Sequence, residues 1–251
     1  MTTTIAVIGK SGSGKTSVTK AIFESMHEIY ADKSILLVDT DLTCELGCTF
    51  GVEVSNTVYD IKMNKFDYKS RLPENMSRQE FMEWALQDIM INIHNEVDLI
   101  ATGPVSSKDC RCYIAEKIND ALVKLIESYD IVIFDCEYDL EYLNHLVDYH
   151  IDVTLIVADT SCGSVYSASK IKESSFKLAS PGQIGLMMNK VKNRMIPEHI
   201  SGLLCDYDLD ILGTLPYDEN LELDCLSKES DILNESVKEL LFRLNLPPLQ
   251  S

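Results

Sequence analysis

The sequence predicts a single doubly wound α/β domain, its mostly parallel sheet of about seven or eight strands flanked by helices on both faces. Three observations predict it. Short apolar runs rich in Val, Ile and Leu recur along the 251 residues, helix-compatible stretches separate most of them, and the runs are nearly continuous instead of alternating with a period of two. A strand with one wet face alternates, whereas a strand covered by helices above and below does not. These runs therefore belong to a parallel sheet whose strand tips carry the chemistry.

The runs are Thr4 to Ile8, Ile35 to Val38, Leu99 to Ala101, Ile131 to Phe134, Val153 to Ala158, Ile184 to Met188 and Ile211 to Leu215. Helices are expected over Val18 to Met26 and Tyr113 to Ser128. The last helix, Glu235 to Leu244, places Val237, Leu240, Leu241 and Leu244 on one face that should pack on the body, and Pro247 and Pro248 stop it. Residues 56 to 96 break the rhythm. They are polar, hold the only tryptophan (Trp84), and read as an excursion from a domain spanning residues 1 to 251, with a helix near Arg78 to His94.

Directly after the first run comes Gly9-Lys10-Ser11-Gly12-Ser13-Gly14-Lys15-Thr16-Ser17, opening the first helix. This is a complete P-loop pattern. Its glycines let the backbone curl so that successive N–H groups point at phosphate oxygens, and the helix N-terminus adds its positive end. Lys15 is expected to reach the β- and γ-phosphates of ATP and Thr16 to ligate Mg²⁺. A dinucleotide fingerprint fails, because Ser17 stands where its third glycine would be.

Charge narrows the partners. The chain has 40 acidic and 22 basic residues, a formal charge of −18, which repels both phosphate backbones and anionic lipids. Nucleic acid and membrane are therefore excluded as expected partners. Residues Met1 to Ile8 show no basic leader, and no window reaches the roughly 18 apolar residues of a spanning helix, so a cytoplasmic protein is expected. Eight cysteines then belong to a reducing compartment, as buried thiols, metal ligands or redox groups.

Lys10, right after the first glycine, resembles the signature lysine of the deviant P-loop in the MinD/ParA and nitrogenase iron protein class. The resemblance implies a homodimer in the ATP state, with Lys10 reaching the neighbouring subunit's nucleotide. Asp39-Thr40-Asp41 is similar to the class's switch I, Asp41 aligning with the carboxylate that positions the attacking water or a magnesium-bound water. Asp135 looks like the magnesium-side carboxylate after the fourth run, and Cys136-Glu137-Tyr138-Asp139 like the start of switch II. Asn189-Lys190 resembles the adenine-reading Asn, and Pro216-Tyr217-Asp218 the second base-side loop.

Cys110-Arg111-Cys112 bears on what the ATP cycle moves. Two thiols one residue apart supply two of the usual four ligands to a soft metal, and a two-fold dimer would supply the other two. The pair resembles the Cys-x-Cys of CooC-type ATPases, which implies a metallochaperone that holds nickel or zinc at the interface and inserts metal, nickel being the first candidate, into a client metalloenzyme such as carbon monoxide dehydrogenase or acetyl-CoA synthase. Departures are Ser11-Gly12 for the family's Gly-Gly and Asp139 for its switch II glycine. Two alternatives stay open: an iron–sulfur electron donor like the nitrogenase iron protein, using Cys110 or Cys112 with Cys136, and a MinD/ParA-like positioning ATPase. Cys44 and Cys48 are a weaker metal pair and are expected in the core.

Overall fold

The computed structural model describes residues 2–41, 43–63, 72–103, 113–136, 150–175, 181–217, 231–244 and 246. Its strands are β1 (Thr3–Gly9), β2 (Ile35–Asp39), β3 (Ile91–His94), β4 (Val97–Ala101), β5 (Ile131–Asp135), β6 (Ile151–Ala158), β7 (Pro181–Val191) and β8 (Ile211–Pro216). They form one eight-stranded sheet in the order β3-β4-β2-β5-β1-β6-β7-β8. Every neighbouring pair is parallel except β3 with β4. The helices are α1 (Lys15–Ile29), α2 (Glu45–Thr49), α3 (Val58–Lys62), α4 (Arg78–Ile89), α5 (Tyr113–Glu127), α6 (Cys162–Ser175), α7 (Glu198–Asp206) and α8 (Asp231–Arg243).

The continuous apolar runs are explained by a core on each face. Along β1, Ala6 and Ile8 join one cluster while Ile5 and Val7 join the other. In β5, Val132 and Phe134 divide from Ile131 and Ile133 in the same way. Each fully buried Val, Leu, Ile or Phe contributes roughly 1.5–3 kcal/mol, so the central strands are the most strongly anchored part of the sheet. The apolar face of α8 (Val237, Leu240, Leu241), with Leu244 just beyond its end, packs in one cluster with Val18, Ile22 and Met26 of α1, as the sequence predicts.

The excursion differs from expectation in one respect. Helix α4 opens on a capping box between Ser77 and Glu80 but ends at Ile89, not near His94. Met90 turns extended (φ −65°, ψ 142°) and Asn95 takes φ 44°, so the chain folds back as a hairpin of β3 on β4. The period has switched to two: Ile91 and Ile93 are half-buried while Asn92 and His94 are exposed. The Asn92 amide fixes the pairing by donating to Asp98 Oδ1 at 2.9 Å. This hairpin adds an antiparallel edge to the otherwise parallel sheet.

Candidate functional site

The carboxyl ends of β1, β2, β5 and β7 converge on the loop between β1 and α1. Two glycines there need their missing side chains. Gly12 and Gly14 adopt φ of +79° and +88°, the left-handed region, and a Cβ on Gly14 would lie 2.3 Å from Asn189 Nδ2. The curl is closed by Ser13 N–H donating to Lys10 O at 3.1 Å, and α1 begins with Val18 N–H on Gly14 O at 3.0 Å. Ser11 is exposed, Ser13 buried, and Thr16 and Ser17 half-buried in the first turn.

The two lysines of the loop lie in different surroundings. Lys15 is buried at the start of α1, only 7% exposed. Lys10 is exposed, and a methyl group added at Gly163 would lie 3.3 Å from its Nζ, so the ammonium rests over the first turn of α6.

Facing the loop are three carboxylates. In the sheet, Asp39 and Asp135 are direct cross-strand partners on β2 and β5. Asp135 is 1% exposed; its Oδ1 accepts from Thr19 Oγ1 at 3.1 Å, while Oδ2 has no hydrogen-bond partner. Burial pushes its carboxyl up to about 6, against the opposing pull of the Thr16 hydroxyl, the Lys15 ammonium and Thr19. Asp39 is fully buried, accepting from Asp41 N–H at 2.9 Å and Leu46 N–H at 3.0 Å. Burial and the neighbouring Asp135 push it up to about 7 despite those two bonds. Asp41 is half-buried, and its Oδ1 accepts from the Thr43 backbone at 2.9 Å and hydroxyl at 2.7 Å.

A buried carboxylate oxygen with no donor, two acids held high chiefly by burial, and a threonine hydroxyl beside them are a donor set that fits a hard divalent cation. Magnesium prefers such oxygens and keeps several waters of its own. Sequence reasoning placed Asp41 and Asp135 here but gave Asp39 no role of its own; its signal was a strand-terminal Asp in register with another, visible once β2 is paired with β5.

Asn189 is buried, its Nδ2 donating to Ser13 O at 2.8 Å and its Oδ1 accepting from Lys190 N–H at 2.8 Å. It thus ties the end of β7 to the phosphate loop, an attachment the sequence did not suggest. Pro216 pairs with Val191 at the tip of β8. Beside it lies a cavity of about 270 Å³, bordered by Val191, Arg194, Thr214 and Glu235, and the Lys192 ammonium sits 4.6 Å over the Tyr217 ring.

Cys110, Cys112, Glu137, Asp139 and Asp218 lie outside the described residues. Cys136 is 1% exposed and burial pushes its thiol up to about 12, which disfavours the thiolate that an iron–sulfur cluster requires. Cys44 is half-buried, with its thiol pushed up to about 11 by burial and Asp39, and Cys48 is exposed, so the expectation of a core pair fails for Cys48. Among the described residues no group of three or more His, Cys, Asp or Glu side chains is arranged to hold a metal, and no helix is long and apolar enough to cross a membrane.

Comparison with known proteins adds three findings. An AAA domain family model matches residues 2–174. An ATP-binding protein of Methanocaldococcus jannaschii, itself uncharacterized, is 29% identical over 220 residues, 86% of this chain and 85% of that one. A second ATP-binding protein of that organism is 25% identical over 248 residues, 94% of each chain. Among solved structures, a ParA family ATPase of Chlorobium tepidum superposes with a TM-score of 0.68 at 17% identity, over 97% of this chain and 99% of that one. MinD of Pyrococcus horikoshii, complexed with Mg-ADP, superposes with a TM-score of 0.64 at 19% identity, over 98% and 96%. At these identities the two structures establish a shared fold.

Proposed function

Because the chain belongs to the AAA domain family and has the fold of the MinD and ParA ATPases, we propose that it hydrolyses ATP and works as a nucleotide-controlled homodimer. The observation that carries this reading is the buried Asp135 carboxylate, with its unpartnered Oδ2, at the foot of a complete phosphate loop. Thr16 would hold Mg²⁺, with Asp41 and Asp135 acting directly or through water. Magnesium, when bound, would supply neutralisation of the phosphate charge. The loop amides from Gly9 to Thr16 cradle the phosphates, and Lys15 stabilises the charge that develops on the transferred group. Asp41 orients the attacking water. Asn189 and Pro216 border the base, with Asn189 already fixing the loop from behind.

Lys10 supports the dimer. It is exposed and stands apart from buried Lys15, where a neighbouring subunit's phosphates can meet it. MinD of Aquifex aeolicus, whose complex with MinC shares this fold at a TM-score of 0.65, offers a precedent for partner binding by such a scaffold.

A second reading is favoured by Cys110-Arg111-Cys112 in the sequence: the dimer would gather four thiolates around one nickel or zinc ion and deliver it to a client metalloenzyme. The iron–sulfur alternative would have to draw on Cys136, which is buried in the sheet's core. Positioning on membrane or DNA is weakened by the charge of −18.

ATP turnover per subunit, measured across protein concentration, together with light scattering in ATP and ADP, tests the main reading. Expected are a rate that rises with concentration, ATP-dependent dimers that weaken in Lys10→Ala, and loss of turnover in Lys15→Ala. A monomer in ATP with concentration-independent turnover would overturn the dimer, and full turnover in Lys15→Ala the hydrolase.

A further inference from the structure

The sheet sets the backbone of Asp135, with Val7 of β1 and Asp39 of β2 as its register partners. Its carbonyl accepts from the Thr40 N–H at 2.9 Å and the Thr40 hydroxyl at 3.0 Å. What the sheet leaves open is the rotation of the carboxylate about its Cβ–Cγ bond, a broad torsion with little preference of its own. That rotation is fixed from outside the sheet. Thr19 of α1 donates its hydroxyl to Oδ1 at 3.1 Å, which leaves Oδ2 as the oxygen without a partner.

Thr19 is an unexpected residue for its place. It is 0% exposed in the interior of a helix, beside Val18, Ala21 and Ile22. Packing alone calls for an apolar residue there, because threonine is a poorer helix former than alanine and buries a hydroxyl that must find a partner. Hydroxyls inside helices commonly satisfy themselves on the carbonyl one turn back. Helix α6 does so, Ser167 donating to Gly163 O and Ser175 to Ile171 O, each at 2.9 Å. Thr19 bonds instead to a strand residue 116 positions away. It follows Thr16 by three residues, which puts the two on one side of the helix, and both hydroxyls act on the Asp135 carboxylate.

We propose that Thr19 is a positioning residue for the divalent cation of the nucleotide site: by holding Oδ1, it presents Oδ2 as the oxygen that meets the cation, directly or through water. The inference rests on the ATP reading of the same site. In this role Thr19 acts through Asp135 and not on the nucleotide. Removing a partner that orients a ligating carboxylate weakens metal binding by about 10–100-fold.

Magnesium titrations of ADP binding, followed by calorimetry, and of ATP turnover test the proposal in the wild type, Thr19→Val and Thr19→Ser. Thr19→Val keeps the branched shape and removes the hydroxyl. Expected in it is a rise of about tenfold or more in the Mg²⁺ concentration that half-saturates both effects, with ADP affinity in EDTA within about twofold of wild type, and a return to within about threefold in Thr19→Ser. If Thr19→Val folds poorly, Thr19→Ala removes the same hydroxyl with a better helix former, and the same rise is expected. A lowered unfolding temperature with the magnesium requirement unchanged would overturn the proposal, leaving Thr19 as the structural partner of a buried acid while the ATP reading stands. A wild type that neither binds ADP more tightly with magnesium nor turns over ATP would overturn both.

Discussion

Replacing Asp39 by Asn should change stability in opposite proportion to proton availability. The carboxyl is raised from 3.8 to about 7 in the folded protein, so the fold binds a proton that the unfolded chain has lost over that interval. The contribution is therefore most favourable below pH 4 and declines as pH rises, levelling off above pH 7. Between pH 5 and pH 7 the wild type loses about 2 kcal/mol, the slope of 1.36 kcal/mol per unit flattening as pH nears 7, a loss the asparagine cannot suffer because it does not ionise. Against this, Asn cannot accept from both Asp41 N–H and Leu46 N–H; one bond is lost and a donor faces a donor, which costs about 1–3 kcal/mol at every pH. The two effects compare as follows. Near pH 5 the variant and wild type should be close in stability, and near pH 8 the variant should be the more stable by about 1–3 kcal/mol. Urea unfolding in EDTA at both values measures the difference. Parallel pH profiles for the two proteins would refute the raised carboxyl and with it the account of the acid pair.

Three other outcomes follow from the site. Asp41→Ala should retain ATP and lose hydrolysis, with about 1 kcal/mol of stability lost from the Thr43 turn, as nucleotide binding and phosphate release measured in parallel will tell; loss of ATP affinity itself would make Asp41 a turn residue only. Gly14→Ala meets a left-handed backbone and a contact of 2.3 Å with Asn189, for a destabilisation of about 2–4 kcal/mol. Part of that loss should vanish in an Asn189→Ala background by a double-mutant cycle, and equal losses in both backgrounds would exclude the clash. For Cys110 and Cys112, nickel added to the anaerobic ATP dimer should produce sulfur-to-nickel charge-transfer absorption saturating at about one ion per dimer. Either single Ser variant should weaken it sharply; intensity undiminished in the double variant would remove the shared thiolate site.

The parallel strands and the phosphate loop were legible because their signals are local: unbroken apolar runs and a glycine pattern next to a strand. The hairpin edge was not. Asn92 and His94 are exposed on a strand of four residues, and the pattern reads as a continuation of α4 until Met90 and Asn95 are given their backbone angles. Asp39 escaped for another reason. Its importance lies in a cross-strand register, Asp39 opposite Asp135, that a single sequence does not express. The same holds for Asn189, whose amide meets a residue 176 positions away. Asp41 and Asp135 were reached through resemblance alone, and the cysteine pair falls outside the described residues.

Leu46 ties the acid pair to α2. Its N–H is held by Asp39 Oδ2, and it sits in the first turn of α2, a helix of five residues entered through Cys44 at φ 52°. Strand neighbours cannot back away from each other, since the sheet fixes Asp39 against Asp135 on both sides of their own bonds. The Leu46 bond therefore runs from a fixed carboxylate to a short helix entered through a left-handed residue. The strength of that tie depends on whether Asp39 carries its charge, because a carboxylate is a stronger acceptor than a neutral acid, so the start of α2 and the exposed Cys48 beyond it are joined by one bond to the acid pair.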